Sequence, residues 1–308
     1  MSRGLDQDDL ERDPGPERPA EMPQGCGRGG ATLAVERLRQ QPPPLQRIGP
    51  GRRPESRRHR QFLDRDRVFY LSDAELQTMR DIGRFRTIGE DDLLRFRYEG
   101  NRNPLERDYL NLKAQGLVER RTVSVGQGRK PLPVYTLTRD GKRTLNRAGL
   151  DHTDQAVYAG FVKPREAAHD AGIYRMFQAE AARIEAEGSR VERVVLDLEL
   201  MKKVYSELAK ARHLGALEYA ERQGQIAAAF GLTVVDGKIP LPDLRIEYQT
   251  AQGEPARVDL ELATEHYHRG QISAKARAGF KMYRFISTSR GSRAEWEGRE
   301  LADGILSL

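Results

Sequence analysis

Cysteine is nearly missing from this chain: Cys26 is the only one in 308 residues. A disulfide framework is therefore excluded, as is every zinc site built on paired cysteines. Long apolar runs are missing too, and none approaches the ~20 residues a helix needs to cross a bilayer. The first thirty residues hold no secretory hydrophobic stretch and open instead as MSRGLDQDDLERD. The expectation is a reduced, soluble, cytoplasmic protein with no membrane partner. Hydrophobic residues make up only 38% of the chain, yet its length suffices for about two domains of ordinary size.

Charge is unevenly spread. Residues 1–67 carry 14 arginines against 11 acids, and residues 68–150 carry 16 bases against 11 acids. Residues 151–308 carry 22 bases against 24 acids. The net charge of +6 thus comes entirely from the first half. This asymmetry predicts a nucleic-acid-facing front and a rear half with a different task.

Residues 1–67 read as a disordered, Arg-rich arm. Pro14-Gly15, Pro42-Pro43-Pro44 and Pro50-Gly51 interrupt it, and few of its residues would build a core. Arg52, Arg53, Arg57, Arg58 and Arg60 form a basic tract suited to lying along phosphates, or to serving as a solvated linker. Cys26 lies in this arm, where nothing ordered surrounds it to tune a thiol.

From Val68 a folded pattern begins, spanning residues 68–150. Ser72 and Glu75 have the spacing of a capping box, leading into Leu76, Met79 and Ile82, with Gly83 as the stop. A second helix is predicted over 90–96, with Leu93, Leu94 and Phe96 apolar. A third is predicted over 103–115, with Leu105, Tyr109 and Leu112 on one face and Gly116 after its end. Strands over 117–125 and 132–137 flank a Gly-rich basic tip, and a closing helix runs to about Arg147.

Leu112-Lys-Ala-Gln-Gly116-Leu117-Val118 followed by Tyr135-Thr-Leu-Thr138-Arg-Asp-Gly141 is similar to bacterial winged-helix regulators. That resemblance implies a winged helix-turn-helix domain whose third helix reads double-stranded DNA. With the apolar face turned inward, Asn103, Arg107 and Asn111 form an outward stripe. These are side-chain types that pair with guanine and adenine edges. Arg102 and Lys113 flank the stripe and suit phosphates. Arg120 and Arg121 on the first wing strand, and Arg129 and Lys130 at the tip, extend the positive surface. A solvated face laced with ordinary salt bridges is the plain alternative, since Glu106 and Asp108 sit among these bases.

In residues 151–308 a long helix is predicted over 164–187, buried through Ile173, Met176, Phe177 and Ile184. A strand follows over 191–198, then a helical stretch over 199–230 broken near Gly215. A Pro242-Asp243 strand spans 239–248, and a second strand over 258–265 carries Asp259, Glu261 and Ala263 on one face. A helix over 271–278 and a strand over 281–286 complete the unit. His266 and His268 beside Glu265 read as surface polarity rather than metal ligands.

This order is similar to the PD-(D/E)xK nuclease core, so the chain as a whole is expected to be α+β, a winged helix followed by an α/β restriction-endonuclease-like domain. The resemblance implies Asp243, Asp259, Glu261 and Lys275 as catalytic positions, with Asp243 and Glu261 as Mg²⁺ ligands if the site is active. No lysine stands two residues beyond Asp259 or Glu261, where Glu261 and Ala263 occur instead. Lys275, on the following helix, is the substitute. Pro242-Asp243, Asp259-Leu-Glu261-Leu-Ala-Thr264-Glu265, Lys275, Tyr283 and His169 together resemble the replication-relaxation family of bacterial plasmids and integrative elements. Leu262-Ala263 departs from the Arg-Gly often found there.

Three readings follow. The leading one is a double-stranded DNA-binding accessory or regulatory protein of a mobile element, homodimeric, with a degenerate nuclease-like domain used for assembly and no cofactor. The second is a Mg²⁺-dependent endonuclease targeted by the winged helix. The third is a scaffold docking a relaxase or replication initiator.

Overall fold

The computed structural model describes residues 59–124, 131–149, 154–161, 163–263 and 269–284, all within one compact unit. The fold is α+β. Its described part opens with a hairpin, β1 (His59–Asp64) paired antiparallel with β2 (Arg67–Ser72). Residues 59–67, expected to belong to a disordered arm, are instead part of this hairpin. Phe69 and Leu71 are buried and Phe62 packs against the same core. Asp64 takes Arg143 Nε at 2.9 Å and Arg147 Nη1 at 3.1 Å. Those anchors come from residues about eighty positions away, so local composition hid the hairpin.

Helix α1 (Asp73–Phe85) starts as its capping box dictates. Ser72 Oγ accepts the Glu75 N–H, and Glu75 Oε2 accepts the Ser72 N–H at 2.7 Å. The helix does not stop at Gly83. A Cβ there would lie 2.9 Å from both Leu137 and Val157 side chains, so this glycine permits close packing. The helix ends instead at Arg86, whose φ of 63° and ψ of −52° make a left-handed γ-turn closed by Thr87 N–H to Phe85 O, 2.6 Å.

Next come β3 (Ile88–Gly89), α2 (Glu90–Arg97), α3 (Arg102–Ala114), β4 (Val118–Val123), β5 (Leu132–Leu137) and α4 (Arg139–Arg147). The three strands form an antiparallel sheet in the order β3-β5-β4. The two sequence patterns of this region meet physically. Thr138 caps α4 through the Gly141 N–H, while its hydroxyl donates to Gly116 O at 2.6 Å and its N–H to Leu117 O at 3.0 Å. Gly141 lies so close that an added Cβ would sit 2.1 Å from the Leu117 carbonyl oxygen.

The second half comprises α5 (Pro164–Ala186), β6 (Arg190–Leu196), α6 (Asp197–Lys210), α7 (Ala216–Ala229), β7 (Leu244–Gln249), β8 (Pro255–Ala263), α8 (Arg269–Arg277) and β9 (Lys281–Arg284). Its sheet has the order β6-β7-β8-β9, antiparallel except for the parallel pair β8/β9. The strand expected from Ile239 starts only at Leu244, because Pro240 and Pro242 have no N–H to give a ladder.

Ile173, Met176, Phe177 and Ile184 of α5 are buried as their spacing predicts. They share one core with Leu244, Ile246, Leu260 and Leu262 of the second sheet, and with Leu76, Met79, Ile82 and Phe85 of α1. Phe85 meets Tyr174 edge-on at 5.0 Å and Phe177 at 4.9 Å. A smaller core under α6 and α7 holds Val204, Ile226, Leu232, Ile239 and Phe280.

Two glutamines act as strand substitutes. Gln155 exchanges two hydrogen bonds with the backbone of Val194 on β6, at 2.8 and 2.9 Å. Gln115 does the same with Tyr70 on β2, at 3.0 and 2.8 Å.

Replacing Gly141 by alanine forces a methyl group into the Leu117 carbonyl. The expected cost is about 1–3 kcal/mol or more, read as a lowered urea midpoint, whereas alanine at solvent-exposed Gly215 changes it little.

Candidate nucleic-acid interface and carboxylate site

The face of α3 turned from the core carries Asn103, Arg107 and Leu110, all exposed. Arg107 is 57% exposed and its Nε lies 3.4 Å from buried Asp108. Leu110, 61% exposed, is an apolar residue on the outer face that the Asn/Arg pattern did not bring forward. Lys113 lies over the Tyr109 ring at 5.9 Å.

The third member of the expected stripe behaves differently. Asn111 Nδ2 donates to Glu75 Oε1 at 2.7 Å, and its Oδ1 accepts from Gln115 Nε2 at 3.1 Å. Both ends of its amide are spent on the α1 cap and on the glutamine that closes β2. This corrects its placement as an outward base reader: Asn111 is a strut between α3 and α1.

The flanking arginines are partly engaged. Arg102 Nη1 lies 3.1 Å from Glu90 Oε1, and Arg120 Nη2 lies 2.6 Å from Glu90 Oε2. Arg121 pairs with Glu119 at 3.1 Å and lies over Phe161 at 4.0 Å from the ring centre. Arg129 and Lys130 lie outside the described residues, as do Thr264, Glu265, His266 and His268.

In the second half, four side chains from four elements converge. Asp243, just before β7, accepts the Leu262 N–H on Oδ2 at 2.8 Å, and the same oxygen lies 3.4 Å from His169 Nε2 on α5. Glu261 on β8 is fully buried, with Oε1 at 2.8 Å from Lys275 Nζ of α8 and Oε2 accepting the Asp243 N–H at 3.2 Å. Lys275 also donates to Leu241 O at 2.6 Å. The sequence reading thus placed Asp243, Glu261 and Lys275 in one site.

Asp259 is not part of it. Arg245, its register partner across β7/β8, grips both its oxygens at 2.7 and 2.8 Å. The acidic face of β8 is consequently charge-compensated, half-buried at Asp259 and fully buried at Glu261. Arg245 was missed because its role depends on strand register. Glu180 was missed for a similar reason: it is a fully buried α5 carboxylate that takes Tyr283 Oη, Lys281 Nζ at 3.0 Å and Arg183 at 2.6 Å.

Electrostatics follow these contacts. Burial alone would lower the His169 pKa, but hydrogen bonds to Asp170 and Asp243 and the two carboxylate charges outweigh it, raising it to about 10. For Asp243, burial pushes up while the His169 bond and charge, the Leu262 N–H and Lys275 pull down, and the net direction is down. Asp197, at the start of α6, is pushed up by burial and then by the charge of Asp243.

The donor set was tested against the divalent ion that the resemblance implies. Both Glu261 oxygens and both Asp259 oxygens already face protein donors. His169 and Lys275 supply two positive charges against Asp243 and Glu261. Among the described residues, no group of three or more His, Cys, Asp or Glu side chains is placed to hold a metal ion. As arranged, these residues balance one another and do not fit Mg²⁺.

Two outcomes follow. Lys275→Met leaves Glu261 buried without its cation and is expected to cost about 3–5 kcal/mol, largely recovered by adding Glu261→Gln, as read by urea denaturation. His169 has a folded pKa above its ordinary 6.5, so its contribution is complete below pH 6.5 and is lost as pH rises toward about 10. The stability gap between the natural chain and His169→Gln should shrink over that interval, and a constant gap refutes the pairing. No family model and no curated protein matches the chain.

Proposed function

We propose that the protein binds double-stranded DNA through α3 and the β4–β5 hairpin, as an accessory or regulatory protein of a mobile genetic element. What carries this reading is the outer face of α3. Asn103, Arg107 and Leu110 stand exposed there, with Arg102, Lys113, Arg120 and Arg121 around them. Arginine and asparagine offer base-edge hydrogen bonds, and a leucine methyl suits the thymine methyl. The order α1-β3-α2-α3-β4-β5 with strands arranged β3-β5-β4 is similar to a winged helix-turn-helix, which supports the same assignment.

In this proposal the second half keeps a nuclease-like order of elements but serves assembly, not hydrolysis. Support comes from the charge balance of His169, Asp243, Glu261 and Lys275 among the described residues. A homodimer is part of the reading, because a two-fold would set two α3 helices on successive half-sites. The link to plasmids and integrative elements rests on the short sequence patterns alone.

The test is fluorescence anisotropy with duplexes selected by the protein from a randomised pool. Affinity should fall steeply with salt, and Arg107→Ala should weaken the selected duplex by about 1–3 kcal/mol. Failure to enrich any duplex overturns the proposal. Mg²⁺-dependent nicking lost in Asp243→Asn replaces it with the endonuclease reading. Capture of a relaxase or replication initiator that persists in the Arg107→Ala, Arg129→Ala double variant, with no duplex binding, replaces it with the scaffold reading.

A further inference from the structure

Glu90 is the first residue of α2 and is 7% exposed. A carboxylate in that position is costly to bury unless it is well paired. Here it is paired more than once over. Arg102, the first residue of α3, reaches Oε1 at 3.1 Å, while Arg120 of β4 reaches Oε2 at 2.6 Å. Tyr135 Oη of β5 donates to Oε2 at 3.0 Å, and Tyr135 is the register partner of Arg120. The Tyr135 ring also meets Tyr109 of α3 at 5.1 Å. One carboxylate therefore ties α2, α3, β4 and β5 together at a single point.

Two cations share that one anion, and both reach outward. The Arg102 and Arg120 side chains are 52% and 41% exposed. Glu106 lies 4.0 Å from Arg102 but is itself well exposed, where an ion pair contributes little. The cluster sits at the N-terminal end of α3, where the helix dipole adds positive potential. Two arginines, brought from different elements to the two oxygens of one carboxylate, make a fork of net positive charge.

We infer that Arg102 and Arg120 form a seat for one backbone phosphate of the bound duplex, and that Glu90 is the positioning residue that fixes their separation before DNA arrives. This rests on the duplex-binding reading above. Guanidinium forks bind phosphate oxygens through paired, charge-assisted hydrogen bonds, and holding them in advance removes the ordering cost from the binding step. Glu90 touches no DNA itself.

The test uses the full chain, the duplex it enriches from a randomised pool, and an unrelated duplex of equal length. Glu90→Gln keeps the shape and removes the charge. Affinity should drop roughly tenfold on the enriched and the unrelated duplex alike, because a phosphate contact carries no sequence information. Glu90→Asp should recover part of the loss. Arg102→Ala and Arg120→Ala together should lower the salt slope by about 1, the value for one phosphate, and adding Glu90→Gln to that pair should change nothing further. No loss on either duplex, a loss confined to the enriched duplex, or the same loss with and without the two arginines assigns Glu90 a merely structural role and overturns the inference. If the natural chain enriches no duplex, the binding reading itself falls, and this seat with it.

Discussion

Helix α5 buries side chains against two sheets at once, and the rest of the molecule is arranged around that fact. Tyr174 and Phe177 turn toward Phe85 of α1, while Ile173, Met176 and Ile184 share a core with β7 and β8. The ion pairs running from α5 are similarly divided. Arg175 holds Asp92 of α2 and Asp170 holds Arg86, whereas His169 holds Asp243. Neighbouring residues 169 and 170 thus face the carboxylate site and the end of α1, respectively. Movement of one half relative to the other would have to break an aromatic cluster and buried charge pairs together.

Charge in this protein is settled by local compensation. Asp259 has Arg245, Glu261 has Lys275, Asp64 has Arg143 and Arg147, and Glu180 has Lys281 and Arg183. Such pairs are expensive to break one partner at a time and cheap to replace whole. The Arg86 turn belongs to the same economy. A non-glycine residue there carries backbone strain of order 1–3 kcal/mol, and its guanidinium answers Asp170, with Glu166 3.8 Å away.

What could be read from the sequence was local or periodic. The Ser72–Glu75 capping box, the apolar face of α5, the strand at Leu132–Leu137 and the break near Gly215 all depend on residues a few positions apart. Asp243, Glu261 and Lys275, singled out because short patterns flank them, lie close together. Asn111 was misplaced because its partners, Glu75 and the Tyr70 carbonyl, come from distant chain. Helical spacing says which face a residue shares and not whether its amide is already taken. Gly83 was read as a stop because a glycine that admits a neighbour and one that ends a helix look alike in one dimension. Arg245 opposite Asp259 becomes visible only when β7 and β8 are in register, and the β1–β2 hairpin only when α4 supplies its arginines.

Gln115 and Gln155 carry a consequence for solubility. A strand edge normally advertises unpaired N–H and C=O groups, and such edges are where chains stick to one another. At Tyr70 and Val194 that exposure is closed by a single carboxamide each, not by another strand, a proline or a charge. Loss of one such amide reopens a two-bond docking point on the outside of a sheet. Closure of the strand edge therefore depends, at each of these two places, on the chemistry of one side chain.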